Sequence, residues 1–311
     1  MTIEAHEGAA PRTVASIIVT YNSSDTIVQC LRSIEESSHP SRIVVVDNAS
    51  RDGTGDVVAR EFPGAEIVRT GANLGFAAAC NRGIERAAEW APTYYLLVNP
   101  DAYLDASCVA TLVDAMEAAP DAAAASPLIL YEDSGKIWYA GAAADVQRGI
   151  YWHVGVGEDD KGQYTETTVT GRPTGCVMLV RRDVVEEVGD LDESYFLYWE
   201  DVEWGLRLQR TGRCVLFVPS ARAGHAVSSA TGGPASKIYE YYYLRNRLRL
   251  VHETAGLSRS SLVAANWQAS ARTIASVLRD RGPRAGLSTG RAIVLAYADF
   301  LRGRQGQKAR L

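Results

Sequence analysis

The sequence predicts an α/β fold: a mostly parallel central sheet flanked by helices, with a helical C-terminal extension. Three observations carry that expectation. Apolar, β-branched runs alternate with stretches whose apolar residues recur at helical spacing; each run ends in a polar or glycine-bearing turn; and from Ala235 onward the pattern is helical only.

Val14 to Tyr21 is the first such run, followed by a Ser/Asp turn and then by Ile27, Cys30, Leu31 and Ile34 along one helical face. The unit recurs. Ile43 to Asp47 precedes a helix from Thr54, Glu66 to Arg69 a helix through Ala79, Gly83 and Ala87, and Tyr94 to Val98 a helix carrying Val109, Leu112, Val113 and Met116. Parallel neighbours can be joined only by a crossover, so this alternation points to a doubly wound sheet. Ligands of such sheets sit at the carboxyl ends of the strands, which directs attention to residues 22–25, 47–54, 71–76 and 99–101.

After Ser126 the rhythm shortens, and the aromatic, glycine-rich stretch from Trp138 to Gly157 suggests antiparallel additions. Cys176 to Val180 reads as a buried strand entering a short helix, Arg182 to Val188. Glu200 to Thr211 reads as a helix stopped by Gly212, and Val215 to Pro219 as a last strand. In the C-terminal helices, Val263, Trp267, Ile274 and Leu278 mark one apolar face; Ile293, Tyr297 and Phe300 mark another, flanked by Arg291, Arg302 and Arg304.

Composition narrows the class. With 47% hydrophobic and 22% charged residues over 311 positions, the chain has a sizeable core and is neither disordered nor fibrous. A net charge of −5 argues against a nucleic-acid partner, although basic residues are concentrated between Arg279 and Leu311. The five cysteines (Cys30, Cys80, Cys108, Cys176 and Cys214) are widely spaced with no Cys-x-x-Cys pair, which suits a reducing cytoplasm. The first ten residues lack the order of a secretory signal, and no apolar run approaches the ~18 residues that span a bilayer, so any membrane role is peripheral.

Four segments could carry chemistry. Asp47 opens a tight polar turn, Asn48 to Thr54, where its carboxylate either accepts the imide N–H of a pyrimidine or belongs to a helix cap. Gly71 to Phe76 allows close backbone approach to a ligand but lacks the G-x-G-x-x-G spacing of a dinucleotide site. In Asn99-Pro100-Asp101 the proline stiffens the turn, so Asp101 either faces the crevice, as a hard cation on a diphosphate requires, or starts an Asx turn. Glu200 and Asp201 sit where the aromatic run Tyr195 to Trp199 meets the first turn of a helix, the setting of a buried base or of an ordinary acidic helix start. His225 follows an apparent strand end, where an imidazole completes a metal shell, contacts a diphosphate or, as a lone histidine usually does, serves only the structure. No Gly-x-Ser-x-Gly elbow, P-loop or His-Glu-x-x-His motif is present.

In their order, the segments SIIVTYNS, VVVDNASRDGT, TGANLGFAAACNRGI, LLVNPDA, TGCVMLVRR and DESYFLYWEDVEWGLRLQRTG resemble the family-2 inverting glycosyltransferases of GT-A fold, and among them the bacterial dTDP-rhamnosyltransferases. The resemblance implies a catalytic domain over residues 1–230, with a nucleotide-binding half at about 13–125 and an acceptor half at about 126–230; the helical region 231–311, with its basic C-terminal stretch, is either a membrane-surface element or a dimer helix with a solvated tail. It implies that Thr20, Tyr21 and Asn22 line the nucleotide pocket, that Asp47 holds the base, and that Asn73, Gly75 and Phe76 run along the donor. Gly175 and Cys176 would lie beneath the donor sugar, Asp201 would be the general base and Glu200 its orienting neighbour. Asp101 takes the last place of the family's Asp-x-Asp metal motif, whose first place is Asn99 here, and His225 matches a further ligand for Mg²⁺ or Mn²⁺.

The implied reaction moves L-rhamnose from dTDP-rhamnose to a hydroxyl of a glycan or polyprenyl-diphosphate-linked acceptor in cell-wall or polysaccharide assembly, in the cytoplasm or at the inner face of the membrane. A UDP-hexose or galactofuranose donor, and a catalytically silent nucleotide-sugar-binding protein, are the alternatives.

Overall fold

The computed structural model describes residues 12–145, 150–227 and 236–309. Its centre is a sheet in which β1 (Val14–Thr20), β2 (Ser41–Asp47), β3 (Glu66–Arg69) and β4 (Tyr94–Val98) run parallel in the order β4-β1-β2-β3. Helices α1 (Ile27–Glu35), α2 (Thr54–Glu61) and α3 (Phe76–Ala88) make the crossovers. A short β5 (Ala102–Leu104) and α4 (Cys108–Ala118) follow β4.

Beyond β4 the sheet becomes mixed. The long β6 (Ala122–Tyr131) carries the edge hairpin strand β7 (Ile137–Tyr139), and β8 (Ala142–Asp145) pairs with β9 (Ile150–His153) as a separate ribbon. After the two-residue β10 (Thr168–Val169), β11 (Val177–Arg181) inserts antiparallel between β4 and β6. Then come α5 (Arg182–Val188), α6 (Glu200–Arg210) and β12 (Cys214–His225).

The last strand is longer than the expected Val215 to Pro219. It runs parallel to β6, shifts register between Val218 and Arg222 around Pro219, and continues as the partner of β5 to His225. Proline ends ladder pairing only where its missing N–H is needed, and at a bulge it is not.

Burial on both faces explains the strand composition. In β1, Val14 and Ile18 enter one core with Ile27, Leu31 and Val109, while Ala15, Ile17 and Val19 enter the other with Ala77, Cys80, Ile84 and Trp204. Successive side chains point to opposite faces, so α1, α2 and α4 cover one side and α3, α5 and α6 the other.

Helices α7 (Lys237–Ala255), α8 (Arg259–Arg281) and α9 (Pro283–Leu301) complete the chain. Ile293, Tyr297 and Phe300 of α9 are buried against Leu248, Val251 and Leu262, so this stripe is an internal seam. On α8 the buried positions are Leu262, Ser270 and Val277; Val263 and Ile274 pack only partly, and the expected Trp267 and Leu278 are half exposed. The helix meets the rest of the protein along a narrow line chiefly on α9, and Ser270 can occupy that line because its hydroxyl bonds the Tyr297 hydroxyl at 2.7 Å.

Candidate active site

At the carboxyl ends of β1 and β2, backbone and side-chain hydrogen bonds tie two loops together. Thr20 is fully buried, and Tyr21 and Asn22 follow it, Asn22 with φ 54°. The Asn22 Oδ1 accepts from the Arg51 amide at 2.8 Å, the Ser50 hydroxyl accepts from the Asn22 amide, and the Asp47 Oδ1 accepts from the Ser50 amide at 2.9 Å. Gly55 lies against the other Asp47 oxygen: a Cβ there would stand 2.5 Å from Oδ2.

Asn48, which the sequence reading did not single out, organises the adjacent loop. Buried, it donates from Nδ2 to the Asn73 side chain and the Gly75 carbonyl, and accepts the Leu74 amide at 2.9 Å. Asn73 in turn accepts the Gly75 amide at 2.9 Å. Gly75 has φ 88°, and a Cβ would collide with the Phe196 carbonyl; that carbonyl accepts the Phe76 amide at 2.7 Å, capping α3. The loop that would follow the donor is thus joined to the aromatic turn before α6.

The second half of the site forms where β11 meets β4. Val177 is paired with Val98, and just past that pair the Asn99 amide donates to the Cys176 carbonyl at 2.8 Å. One residue earlier, the Gly175 amide donates to Asp201 Oδ2 at 3.0 Å. Asp101 is fixed from the other side, since its carbonyl accepts the Ala226 amide and its Oδ1 stands 3.2 Å from His225 Nε2. Asp101 and Asp201 are both near enough to the buried Cys176 thiol to oppose its ionisation, adding to the effect of burial itself. Asp47 lies two strands away from β4, about 10 Å at ordinary strand spacing.

Asp201 stands in the first turn of α6. It accepts from the Gly175 and Val202 amides, and Arg172 Nη1 approaches its Oδ2 at 3.5 Å. A Cβ on Gly175 would come within 3.2 Å of the Asp201 Cβ, so the glycine leaves this carboxylate its place. Arg172 was not foreseen. It is 8% exposed and its backbone carbonyl is held by the Tyr139 hydroxyl at 2.8 Å. Burial, then the Arg172 charge, holds the neighbouring His153 imidazole down at about 3 and therefore neutral.

Glu200 behaves differently from Asp201. It is buried, near enough to the Cys80 thiol of α3 to oppose its ionisation, and its Oε2 has no hydrogen-bond partner. Burial, with the Asp201 carboxylate beside it, pushes its carboxyl up to about 8. Two adjacent acids thus occupy unlike environments, one solvent-shielded and one facing backbone donors.

Asp101 and His225 could hold a cation. Their side chains are 10% and 8% exposed, their ligating atoms converge, and His225 Nδ1 is buried without a partner. Among the described residues no cluster of three or more metal-ligating side chains occurs. The protein supplies an oxygen and a nitrogen, leaving the other positions of a hard divalent ion to phosphate oxygens and water. Asn99 contributes through its backbone: its carbonyl accepts from the Ala102 amide and the Cys30 thiol.

Asp47 at the end of β2, and Asp101 and Asp201 beyond the end of β4, lie at the strand ends where ligands of α/β sheets bind. Residues 16–189 match glycosyl transferase family 2, and the chain belongs to that family. It is 30% identical over 248 residues to the N-acetylglucosaminyl-diphospho-decaprenol L-rhamnosyltransferase of Mycobacterium tuberculosis, covering 73% of this chain and 80% of the relative. It is 24% identical to the dTDP-rhamnosyl transferase RfbF of Shigella flexneri, over 77% and 80% of the two chains.

Two solved structures share the fold. The mannosyltransferase of Pyrobaculum calidifontis in complex with GDP-Man and Mn²⁺ aligns with a TM-score of 0.57 at 19% identity, over 94% of this chain and 84% of that one. GalNAc-T7 with UDP, GalNAc and Mn²⁺ aligns at 0.60 and 20% identity, over 78% of this chain but only 47% of that chain. The protein is a family-2 glycosyltransferase with rhamnosyltransferase relatives. No helix among the described residues is long and apolar enough to cross a membrane.

The Glu200 environment has a consequence for stability. Between the ordinary 4.5 and about 8 the folded chain keeps this proton while the unfolded chain has released it. Stability therefore falls as pH rises through that window. Glu200→Gln, neutral throughout, is expected to flatten the change in urea midpoint between about pH 5 and about pH 8. Parallel profiles for variant and wild type would contradict this.

Proposed function

We propose that the protein transfers L-rhamnose from dTDP-rhamnose, with inversion, to a hydroxyl of a polyprenyl-diphosphate-linked or related glycan acceptor. The observation that carries this reading is the Asp201 carboxylate held by the Gly175 amide next to the Asn99-Pro100-Asp101 turn, so that a base and a diphosphate-side acid share one rim. The names of the two rhamnosyltransferase relatives support the donor, and that of the mycobacterial relative supports a lipid-diphosphate acceptor.

In this reading Thr20, Tyr21 and Asn22 floor the nucleotide pocket and Asp47 accepts the imide N–H of thymine. Asn73, Gly75 and Phe76 border the donor, Asn99 lies beside its ribose, and Gly175 and Cys176 lie under its sugar. Asp201 takes the proton from the acceptor hydroxyl as that oxygen attacks the anomeric carbon and the bond to the diphosphate breaks on the opposite face. Arg172 and the α6 N-terminus hold the base in place, and Glu200 supports it from below. Mg²⁺ or Mn²⁺, held by Asp101 and His225 together with donor phosphate oxygens, would neutralise charge gathering on the departing diphosphate. Uracil offers Asp47 the same N–H as thymine, so a UDP-hexose or UDP-galactofuranose donor is the competing reading.

The outer face of α9 supports a peripheral membrane position. Leu287, Val294 and Leu301 are 73%, 52% and 47% exposed there, interleaved with exposed Arg284 and Arg291, while Asp299 is turned inward. Apolar side chains among cations suit an anionic lipid surface.

Asp201→Asn is expected to lower transfer from dTDP-rhamnose by about 10²–10⁴-fold while dTDP still binds, as removal of a general base does. Near-normal turnover would dismiss Asp201 as the base, and a wild type that binds the donor but neither transfers nor hydrolyses it would favour a silent binding protein. Asp101→Ala is expected to abolish the Mn²⁺-dependent part of dTDP affinity in calorimetry; affinity unchanged by the ion in wild type would remove the metal role. Leu287→Glu with Val294→Glu should reduce co-sedimentation with phosphatidylglycerol vesicles at low salt, and equal sedimentation would reject the lipid contact.

A further inference from the structure

The turn that delivers Glu200 and Asp201 is held in an unfavourable backbone state. Phe196, Tyr198 and Trp199 have φ of 65°, 66° and 76°, a region that bulky side chains rarely occupy. Such a conformation persists only where surrounding contacts impose it. It also turns a group of backbone carbonyls toward α7.

Three of those carbonyls share one side chain. The fully buried Asn246 donates from Nδ2 to the carbonyls of Tyr195 at 2.8 Å, Leu197 at 2.8 Å and Tyr198 at 2.9 Å. Its two N–H bonds are shared among three acceptors, which leaves neither free to turn away. The orientation of the amide is set by Arg245, whose Nε donates to Asn246 Oδ1 at 2.9 Å and whose Nη2 reaches the Tyr195 carbonyl at 3.2 Å. Arg245 Nη1 also holds the Gly306 carbonyl at 2.8 Å, while the Gly306 amide returns to the Ser194 carbonyl at 2.7 Å. On the far side of the turn, the Phe196 carbonyl is taken by the Phe76 amide of the donor loop.

We infer that Asn246 is a positioning residue of the transfer reaction: its amide imposes the left-handed turn at 196–199 and so sets where α6 begins and where Asp201 meets the Gly175 amide. This rests on Asp201 being the base, the reading given above. A side chain without N–H groups at this position takes the amide donor from the Leu197 and Tyr198 carbonyls and leaves the Tyr195 carbonyl to Arg245 and the Leu197 amide, and the turn then relaxes toward ordinary φ values. Relaxation moves the carboxylate without touching the nucleotide pocket at β1 and β2. The expected signature is therefore a loss in kcat with nucleotide binding intact.

The test compares Asn246→Ala with Leu248→Ala, which empties a buried apolar position on the same helix without contacting the turn. Both should lower the melting temperature. Well below either transition, Asn246→Ala is expected to lose about 10²-fold or more in kcat for transfer from dTDP-rhamnose, the cost of a small misplacement at a reacting centre, with the dTDP dissociation constant unchanged. Leu248→Ala should keep kcat within about threefold, and only Asn246→Ala should show amide exchange in 196–203 accelerated by about tenfold or more. Equal kcat losses in the two variants, or unchanged exchange in 196–203, would overturn the inference. If Asn246→Ala does not fold, Arg245→Lys, which deletes the N–H orienting the amide, is read by the same criteria. Should wild type fail to use dTDP-rhamnose, the donor reading falls while the exchange measurement still decides the role of Asn246.

Discussion

The hydrogen bond from the Asn99 amide to the Cys176 carbonyl is the constraint on which the rest of the candidate site depends. It is the first link past the end of the β4–β11 ladder, and it places two stretches far apart in sequence at one rim. The placement of both acids follows from that seam: Asp101 two residues beyond it, Gly175 one residue before it, and through Gly175 the carboxylate of Asp201. A parallel strand at this position would have brought its opposite end to the rim. The antiparallel insertion of β11 is thus a requirement of the site as well as an irregularity of the sheet.

Much of this was legible beforehand. The alternation of β-branched runs with helical faces announced β1 to β4 and their crossovers, because strands buried on both sides have few alternatives to Val, Ile, Leu and Ala. The acids at strand ends were legible for a related reason: a carboxylate directly after an apolar run lies at the boundary between core and solvent, where ligands bind. The strained turn was not legible, since nothing in Phe-Leu-Tyr-Trp signals positive φ; its conformation is imposed from α7, some fifty residues later.

Arg172, Asn48, Gly55 and Asn246 escaped for similar reasons. Each works through a contact across the fold: Arg172 with a residue of α6, Asn48 with the next loop, Gly55 by the absence of a side chain beside Asp47, and Asn246 with backbone carbonyls. Periodicity registers burial, but a buried polar residue on a helix looks like a break in the pattern. The α8 face failed in the same way, since Ser270 lies on the buried line that apolarity alone assigned to its neighbours. For Gly55 a signal was available in the run Asp-Gly-Thr-Gly-Asp, whose second glycine has no turn to explain it.

The Phe196 peptide unit belongs to two structures at once. Its carbonyl closes the first turn of α3 behind the Gly71 to Gly75 loop, while its own φ begins the turn that ends at Asp201. A shared joint of this kind transmits displacement in both directions. One carbonyl therefore fixes the start of α3 and the approach to α6 together.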